Sequence, residues 1–232
     1  MEHEEYTAEN YPSFGKKYNN EKAIISLTSW KARINTVSKT LFSLLKQCPG
    51  FHIVLVLSEE EFPKMMDELP DNLKLFADNE LIEVLWVYKN YKSFKKVLFT
   101  MDKYRTVPVI SADDDCIYTC NYAQELYDKW NSLKNKKCGI RYEFGKLVQM
   151  QGPTSLYYGF SNKARKIISS LSQKILKESE DDKFLGNFIV KEKMTIEFVH
   201  KTVKKPYKFH DEIAPMHPGE YKKLKSFAGA YL

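Results

Sequence analysis

The chain has 232 residues, 43% hydrophobic and 28% charged, which suits a soluble globular protein with one sizeable core and excludes a disordered or fibrous chain. Its net charge of +6 is carried almost wholly by lysine. That favours diffuse attraction to nucleotides, nucleic acid or anionic membrane over bidentate phosphate clamping. No apolar run is long enough to span a bilayer, and the acidic start at Glu2, Glu4 and Glu5 is unlike a signal peptide. A cytoplasmic location is expected, with Cys48, Cys116, Cys120 and Cys138 as reduced thiols that lack zinc-site spacing.

Residues 1–21 are polar and aperiodic and read as an N-terminal arm. Ala23-Ile24-Ile25-Ser26-Leu27 is the first buried strand, leading into the loop Thr28-Ser29-Trp30-Lys31-Ala32-Arg33. Asn35 or Thr36 caps a helix with Val37, Leu41, Leu44 and Leu45 on one face, ended by Pro49-Gly50. Residues 52–57 form the second strand, after which Ser58 and Glu59-Glu60-Glu61 predict a capped helix start with an acidic first turn. Residues 82–87 are a third strand, and Ser93 opens a helix carrying Lys95 and Lys96 beside Val97, Leu98 and Met101. A fourth apolar run, Val107-Pro108-Val109-Ile110, ends in Ser111-Ala112-Asp113-Asp114-Asp115. This alternation predicts an α/β fold with a doubly wound parallel sheet. A helix over 122–133 follows, then a less regular region over 139–159 with short β-like pieces and turns at Gly152-Pro153 and Tyr157-Tyr158-Gly159, helices over 162–176 and 181–190, and a late strand over 195–199. From His200 onward the chain is basic and irregular.

Two carboxylate clusters stand out. Three aspartates at the end of a buried strand repel one another by about 4 kcal/mol per close pair at an effective dielectric of ~20. A hard divalent cation relieves that cost, and open α/β sheets bind ligands beyond the carboxyl ends of their strands. The competing reading is a solvated acidic turn with Asp114 or Asp115 capping the next helix. Glu180-Asp181-Asp182 has two readings as well: helix capping with dipole compensation, or a carboxylate that removes a proton from an attacking hydroxyl.

Five stretches in order resemble bacterial nucleotide-sugar glycosyltransferases of the GT-A fold, family 2-like. They are Ile25-Ser26-Leu27-Thr28-Ser29-Trp30-Lys31-Ala32-Arg33-Ile34, Leu57-Ser58-Glu59-Glu60-Glu61-Phe62-Pro63, Ser93-Phe94-Lys95-Lys96, Ser111-Ala112-Asp113-Asp114-Asp115-Cys116-Ile117-Tyr118 and Asp181-Asp182-Lys183-Phe184-Leu185. The resemblance implies a Rossmann-like sandwich over residues 22–200, with a mainly parallel central sheet flanked by helices and a small acceptor-side β/α portion. Residues 22–120 would bind the donor, 121–200 the acceptor, and 201–232 form a basic tail. It further implies Thr28 and Trp30 around the nucleotide base, and Arg33 and Lys95 facing base, ribose or diphosphate. Asp113 would touch the ribose, Asp115 with Asp113 would hold Mn²⁺ or Mg²⁺, and Asp114 would point elsewhere or orient the loop. Asp182 would be the general base of an inverting transfer, with Asp181 its rival. His210 or His217 would complete the metal site. The implied donor is a nucleotide sugar, UDP-linked by preference, and the acceptor a glycan or lipid-linked hydroxyl of bacterial surface polysaccharide or lipo-oligosaccharide synthesis.

The sequence departs from that pattern at Thr119, where a proline is common, and in Gln151-Gly152-Pro153-Thr154-Ser155-Leu156-Tyr157-Tyr158, which replaces a more glycine-rich acceptor loop. Acceptor identity is therefore open. Lys201 to Lys208 and Lys222 to Lys225 suit peripheral association with an anionic inner membrane face, at about 1 kcal/mol per lysine. Two competing readings are a metal-dependent nuclease or phosphoryl-transfer enzyme, and a non-catalytic nucleic-acid-binding module. The first lacks support from the loop motifs. The second lacks any nucleic-acid-binding signature, so no nucleic-acid partner is expected.

Overall fold

Strand β1 (Ala23–Thr28) is apolar on both sides because both sides are covered. Ala23, Ile25 and Leu27 join the larger core, while Ile24 packs with Val54 and Val56 on the opposite face. The computed structural model describes residues 21–47, 49–142, 150, 152–199 and 206–210. The N-terminal arm before residue 21, Cys48, Gln151, His217 and the lysines at 201, 204, 205, 222, 223 and 225 lie outside the described residues.

The remaining strands are β2 (Phe51–Ser58), β3 (Glu83–Val87), β4 (Val109–Ser111), β5 (Cys116–Tyr118), β6 (Cys138–Tyr142), β7 (Ser155–Tyr158), β8 (Thr195–Val199) and β9 (Tyr207–Phe209). The helices are α1 (Val37–Leu45), α2 (Asp71–Asp78), α3 (Phe94–Lys103), α4 (Tyr122–Ser132), α5 (Ser161–Ser170), α6 (Gln173–Glu178) and α7 (Asp181–Lys191). Seven strands form one sheet in the order β3-β2-β1-β4-β7-β6-β8. The pairs β3–β2, β2–β1 and β1–β4 are parallel, β7 runs antiparallel to both β4 and β6, and β8 is again parallel to β6. The sheet is thus mainly parallel rather than wholly so: the irregular region after α4 folds back as an antiparallel insertion.

Helices α1 and α4 cover one face, with Val37, Leu41, Leu44, Tyr122 and Leu126 buried against the sheet. On the other face α3, α5 and α7 share a second core of Phe94, Val97, Leu98, Met101, Ala164, Ile167, Leu185 and Ile189. Each such side chain contributes about 1.5–3 kcal/mol of burial, an upper figure for a chain whose unfolded state is already partly compact.

Three sequence expectations are corrected. Residues 59–61 do not start a helix. The Ser58 hydroxyl donates to Glu61 Oε2 (2.9 Å) instead of capping, and Glu61 pairs with the buried Lys95 (3.0 Å). The helix in that crossover begins only at Asp71, after a 3₁₀ turn over Met65–Glu68. The helix expected over 162–176 is two, because Leu171 is extended and Ser172 re-caps the chain by accepting from the Ile175 N–H. The basic stretch after His200 contributes a strand, β9, which pairs antiparallel with β5 next to the aspartate triplet. Among the described residues Cys116, Cys120 and Cys138 are free thiols, and no helix is long and apolar enough to cross a membrane.

Candidate active site

Beyond Ser111 the backbone stays attached to its neighbour strand through the Ala112 N–H, which donates to the Ser26 carbonyl (2.9 Å). The aspartates therefore emerge at the carboxyl edge of the sheet, beside the loop that follows β1. Each is held by a basic side chain, Lys96 for the first and Arg33 for the other two. Asp113 Oδ1 accepts from Lys96 Nζ (2.5 Å), and its N–H donates to the Tyr118 hydroxyl (2.8 Å). Asp114 accepts from the Ser29 hydroxyl (2.7 Å) and from Arg33 (2.7 Å), and its carbonyl takes the Thr40 hydroxyl (2.9 Å). Asp115 lies 3.1 Å from the same Arg33 nitrogen. Asp114 is the loop-orienting member, and the β1 loop and the triplet are fastened together through it.

Lys96 makes a second contact. Its ammonium, 4% exposed, sits 3.4 Å from Asp181 Oδ2 at the start of α7. Two acidic motifs far apart in sequence therefore meet at one lysine. Burial opposes its charge, but Asp113 and Asp181 overcome that and hold its pKa well above the ordinary lysine value. Asp182 is half-buried, and its Oδ1 accepts from the Lys183 N–H (2.7 Å). Burial first, and then the adjacent Asp181 charge, push its pKa up to about 6. A carboxyl group with that value is ionised at neutral pH yet is a far stronger base than an exposed aspartate.

The other expected residues divide. Thr28 ends β1 and donates its hydroxyl to the Val56 carbonyl (2.7 Å). Trp30 is half-buried, with its carbonyl closing the turn to Arg33 and Ile34. Arg33 is buried and turned inward onto Asp114 and Asp115, so it is a scaffold cation in this arrangement. Lys95 does not reach the triplet; it pairs with Glu61 and donates to Asn90 Oδ1 (2.9 Å). Lys96, one residue on and about one-quarter turn round the helix, is the lysine that reaches the triplet, at Asp113. His210 joins the site: its N–H donates to the Asp115 carbonyl (3.1 Å), and Nε2 lies 3.3 Å from both the Asp114 carbonyl and the Thr40 hydroxyl. A carbonyl can only accept, so Nε2 carries a proton, while the buried Nδ1 has no hydrogen-bond partner among the described residues. Sequence reading missed Ser29, Thr40 and Tyr118, whose only sequence signal is closeness to motif residues.

The donor set suits a hard divalent cation in chemistry and charge. Among the described residues, Asp113, Asp114, Asp115 and Asp181 are touched by two basic side chains, Lys96 and Arg33, so carboxylates outnumber their cationic partners there. Among the described residues, however, no three carboxylate, imidazole or thiolate side chains converge as a ready-built cage. An ion here fits the mode in which one or two carboxylates bind and substrate phosphates and water complete the shell. A shallow groove of about 260 Å³ runs along the β5–β9 ribbon beside the site, lined by Ile117, Tyr118, Thr119, Tyr207 and Lys208.

No family model matches the chain, and no curated protein does. Solved structures do. A cytidylyltransferase from Leptospira borgpetersenii serovar Hardjo-bovis is 14% identical with a TM-score of 0.55, covering 92% of this chain and 88% of that one. The apo-form glycosyltransferase GlyE of Streptococcus pneumoniae TIGR4 is 17% identical with a TM-score of 0.46, covering 77% of this chain and 45% of that one. TarS 1–349 of S. aureus is 13% identical with a TM-score of 0.46, covering 77% and 58%. This chain thus spans only 45% of GlyE and 58% of the TarS structure. At these identities the likeness to the cytidylyltransferase establishes a shared α/β fold, with a mostly parallel central sheet flanked by helices, and the fold alone.

Proposed function

We propose that the protein is a metal-dependent, inverting glycosyltransferase that moves a sugar from a nucleoside diphosphate donor to a hydroxyl of a glycan or lipid-linked acceptor. The observation that carries this reading is the meeting, at Lys96, of the strand-end aspartates with the first turn of α7. A leaving-group site and a proton acceptor then lie side by side. In this reading Asp113 binds the donor ribose, and Asp113 and Asp115 are the carboxylates that would hold Mn²⁺ or Mg²⁺. When bound, the ion would offset charge on the departing diphosphate. Thr28 and Trp30 flank the base. Lys95, behind Asn90 and Glu61, shapes the floor under it. His210 Nδ1 is placed to accept a hydrogen bond or join the ion's shell. Asp182 takes the proton of the attacking hydroxyl, and attack from the face opposite the leaving group inverts the anomeric carbon. A UDP-sugar is the preferred donor, and surface polysaccharide or lipo-oligosaccharide synthesis on the inner membrane face is the preferred setting.

The test is a panel of UDP-, GDP- and CDP-sugars with and without Mn²⁺, read by nucleoside diphosphate release and by thermal shift. A metal-dependent shift with one diphosphate, abolished in Asp115→Ala, is expected. Asp182→Asn should keep that shift and lose transfer. Absence of a metal-dependent shift with every diphosphate would overturn the reading. Release of pyrophosphate from a nucleoside triphosphate would replace it with nucleotidyl transfer.

A further inference from the structure

We propose that Lys96 is a positioning residue which, by bridging Asp113 and Asp181, holds Asp182 in register with the donor-side carboxylates. The inference rests on the glycosyltransferase reading for its kinetic consequence, but not for its geometry. Lys96 is itself rigidly placed. Its carbonyl accepts from the Ser26 hydroxyl of β1 (2.5 Å), and that hydroxyl also contacts the Thr100 hydroxyl one turn along α3 (2.7 Å). The ammonium is therefore referenced to the centre of the sheet and not to a loop. One arm is tight, to Asp113 at 2.5 Å; the other is looser, to Asp181 at 3.4 Å. Asp181 Oδ2 is buried and accepts no hydrogen bond among the described residues, so Lys96 is the charge that compensates it. The residue at the N-cap of α7, Glu180, makes no side-chain capping bond. The first turn of α7 is thus tied to the strand-end aspartates through this ion pair, and Asp182 rides on that turn.

Among the groups facing Asp182 are Asp181, Glu180 and the Lys183 N–H beside it in sequence, and Lys96 on α3; Tyr157 on β7 senses Asp181, Asp182 and Lys96 together. Lys96 favours the ionised form of Asp182, alongside the hydrogen bond from the Lys183 N–H; Asp181 and Glu180 disfavour it.

The variants are Lys96→Gln, which removes the charge, and two that keep most of the packing: Lys96→Arg and Asp181→Asn, the latter cutting only the looser arm. Hydrogen exchange of the intact protein without ligand should show the amides of residues 184–186, the first to hydrogen-bond back onto the opening turn of α7, exchanging at least about tenfold faster in Lys96→Gln and Asp181→Asn, with α1 and α4 unchanged. In transfer assays kcat should fall by about 100-fold in Lys96→Gln, the scale of a misplaced reactive group, and by more than nucleoside diphosphate affinity does. The acid limb of the pH–rate profile should move upward in Lys96→Gln, because the charge that favours ionised Asp182 is gone. Lys96→Arg should restore part of kcat. Unchanged exchange in α7, or a loss confined to diphosphate affinity with kcat intact, would overturn the proposal. If the wild type transfers no sugar, the functional reading fails; faster exchange at α7 in the variants would still support the bridge.

Discussion

Asp182→Asn should make the protein more stable at neutral pH while removing its chemistry. In the fold the Asp182 pKa rises from 3.8 to about 6, so the folded state binds a proton there more tightly than the unfolded chain does. By linkage, the native state loses stability as pH rises between those two values, and above pH ~6 the ionised side chain costs about 3 kcal/mol. Solvent at this half-buried position screens the effect to about 2–3 kcal/mol. Asparagine removes the charge and keeps an oxygen to accept from the Lys183 N–H. For a chain of this size about 2–4 °C in Tm accompanies each kcal/mol, so a gain of about 4–12 °C is expected at pH 7.5. The gain should fall to about half near pH 5 and vanish near pH 3.5, where both states hold the proton. Circular dichroism melts of both proteins at the three pH values measure it. A variant less stable than wild type at pH 7.5, or a gain indifferent to pH, would refute the argument that burial and Asp181 destabilise the charged form.

Arg33→Ala should cost about 3–5 kcal/mol in urea unfolding, because it leaves Asp114 and Asp115 without their buried counter-charge, and Arg33→Lys should cost less than half as much. Glu83 lies on the edge strand β3; its burial opposes charge, but hydrogen bonds from His52, Lys103 and Tyr104 bring its pKa down to about 2 from 4.5. That stability is present above pH 4.5 and lost as pH falls toward 2, so Glu83→Gln should cost about 1–3 kcal/mol at pH 7 and little in an unfolding series at pH 2.5. Gly159 has φ +99°, and a Cβ there would lie 2.9 Å from the Lys137 Cα. Gly159→Ala should therefore destabilise by at least about 1 kcal/mol in the same assay, with a circular dichroism spectrum unchanged in shape.

The parallel half of the sheet was readable because two-sided burial leaves unbroken apolar runs: residues 23–27, 52–57 and 82–87 all lie on or within one residue of strands. The antiparallel insertion was not, because β7 is short and its pairing to β4 is non-local. At the site, the strand-end placement of Asp113 to Asp115 follows from sequence pattern alone. The choice between Lys95 and Lys96 does not: both flank the apolar face formed by Phe94, Val97, Leu98 and Met101, and each is buried against a different carboxylate. The Glu59–Glu61 run misled for a related reason. A serine before three glutamates matches a helix start, and nothing local reveals that a lysine from α3 will claim Glu61. Partner identity across the fold was the hidden quantity in each case.

The continuity of the seven-stranded sheet limits how the molecule can move. Strand β4 hydrogen-bonds to β1 on one side and to β7 on the other, so the sheet runs unbroken across residue 120, where the sequence suggested a division into halves. Rotation of one half against the other would have to break that ladder, which rules out a hinge at this boundary as a cheap motion. On the proposed function, any movement that admits a nucleotide sugar is then expected in segments at the sheet's carboxyl edge. Crystals grown with and without a nucleotide should superpose over all seven strands, with every difference confined to that rim.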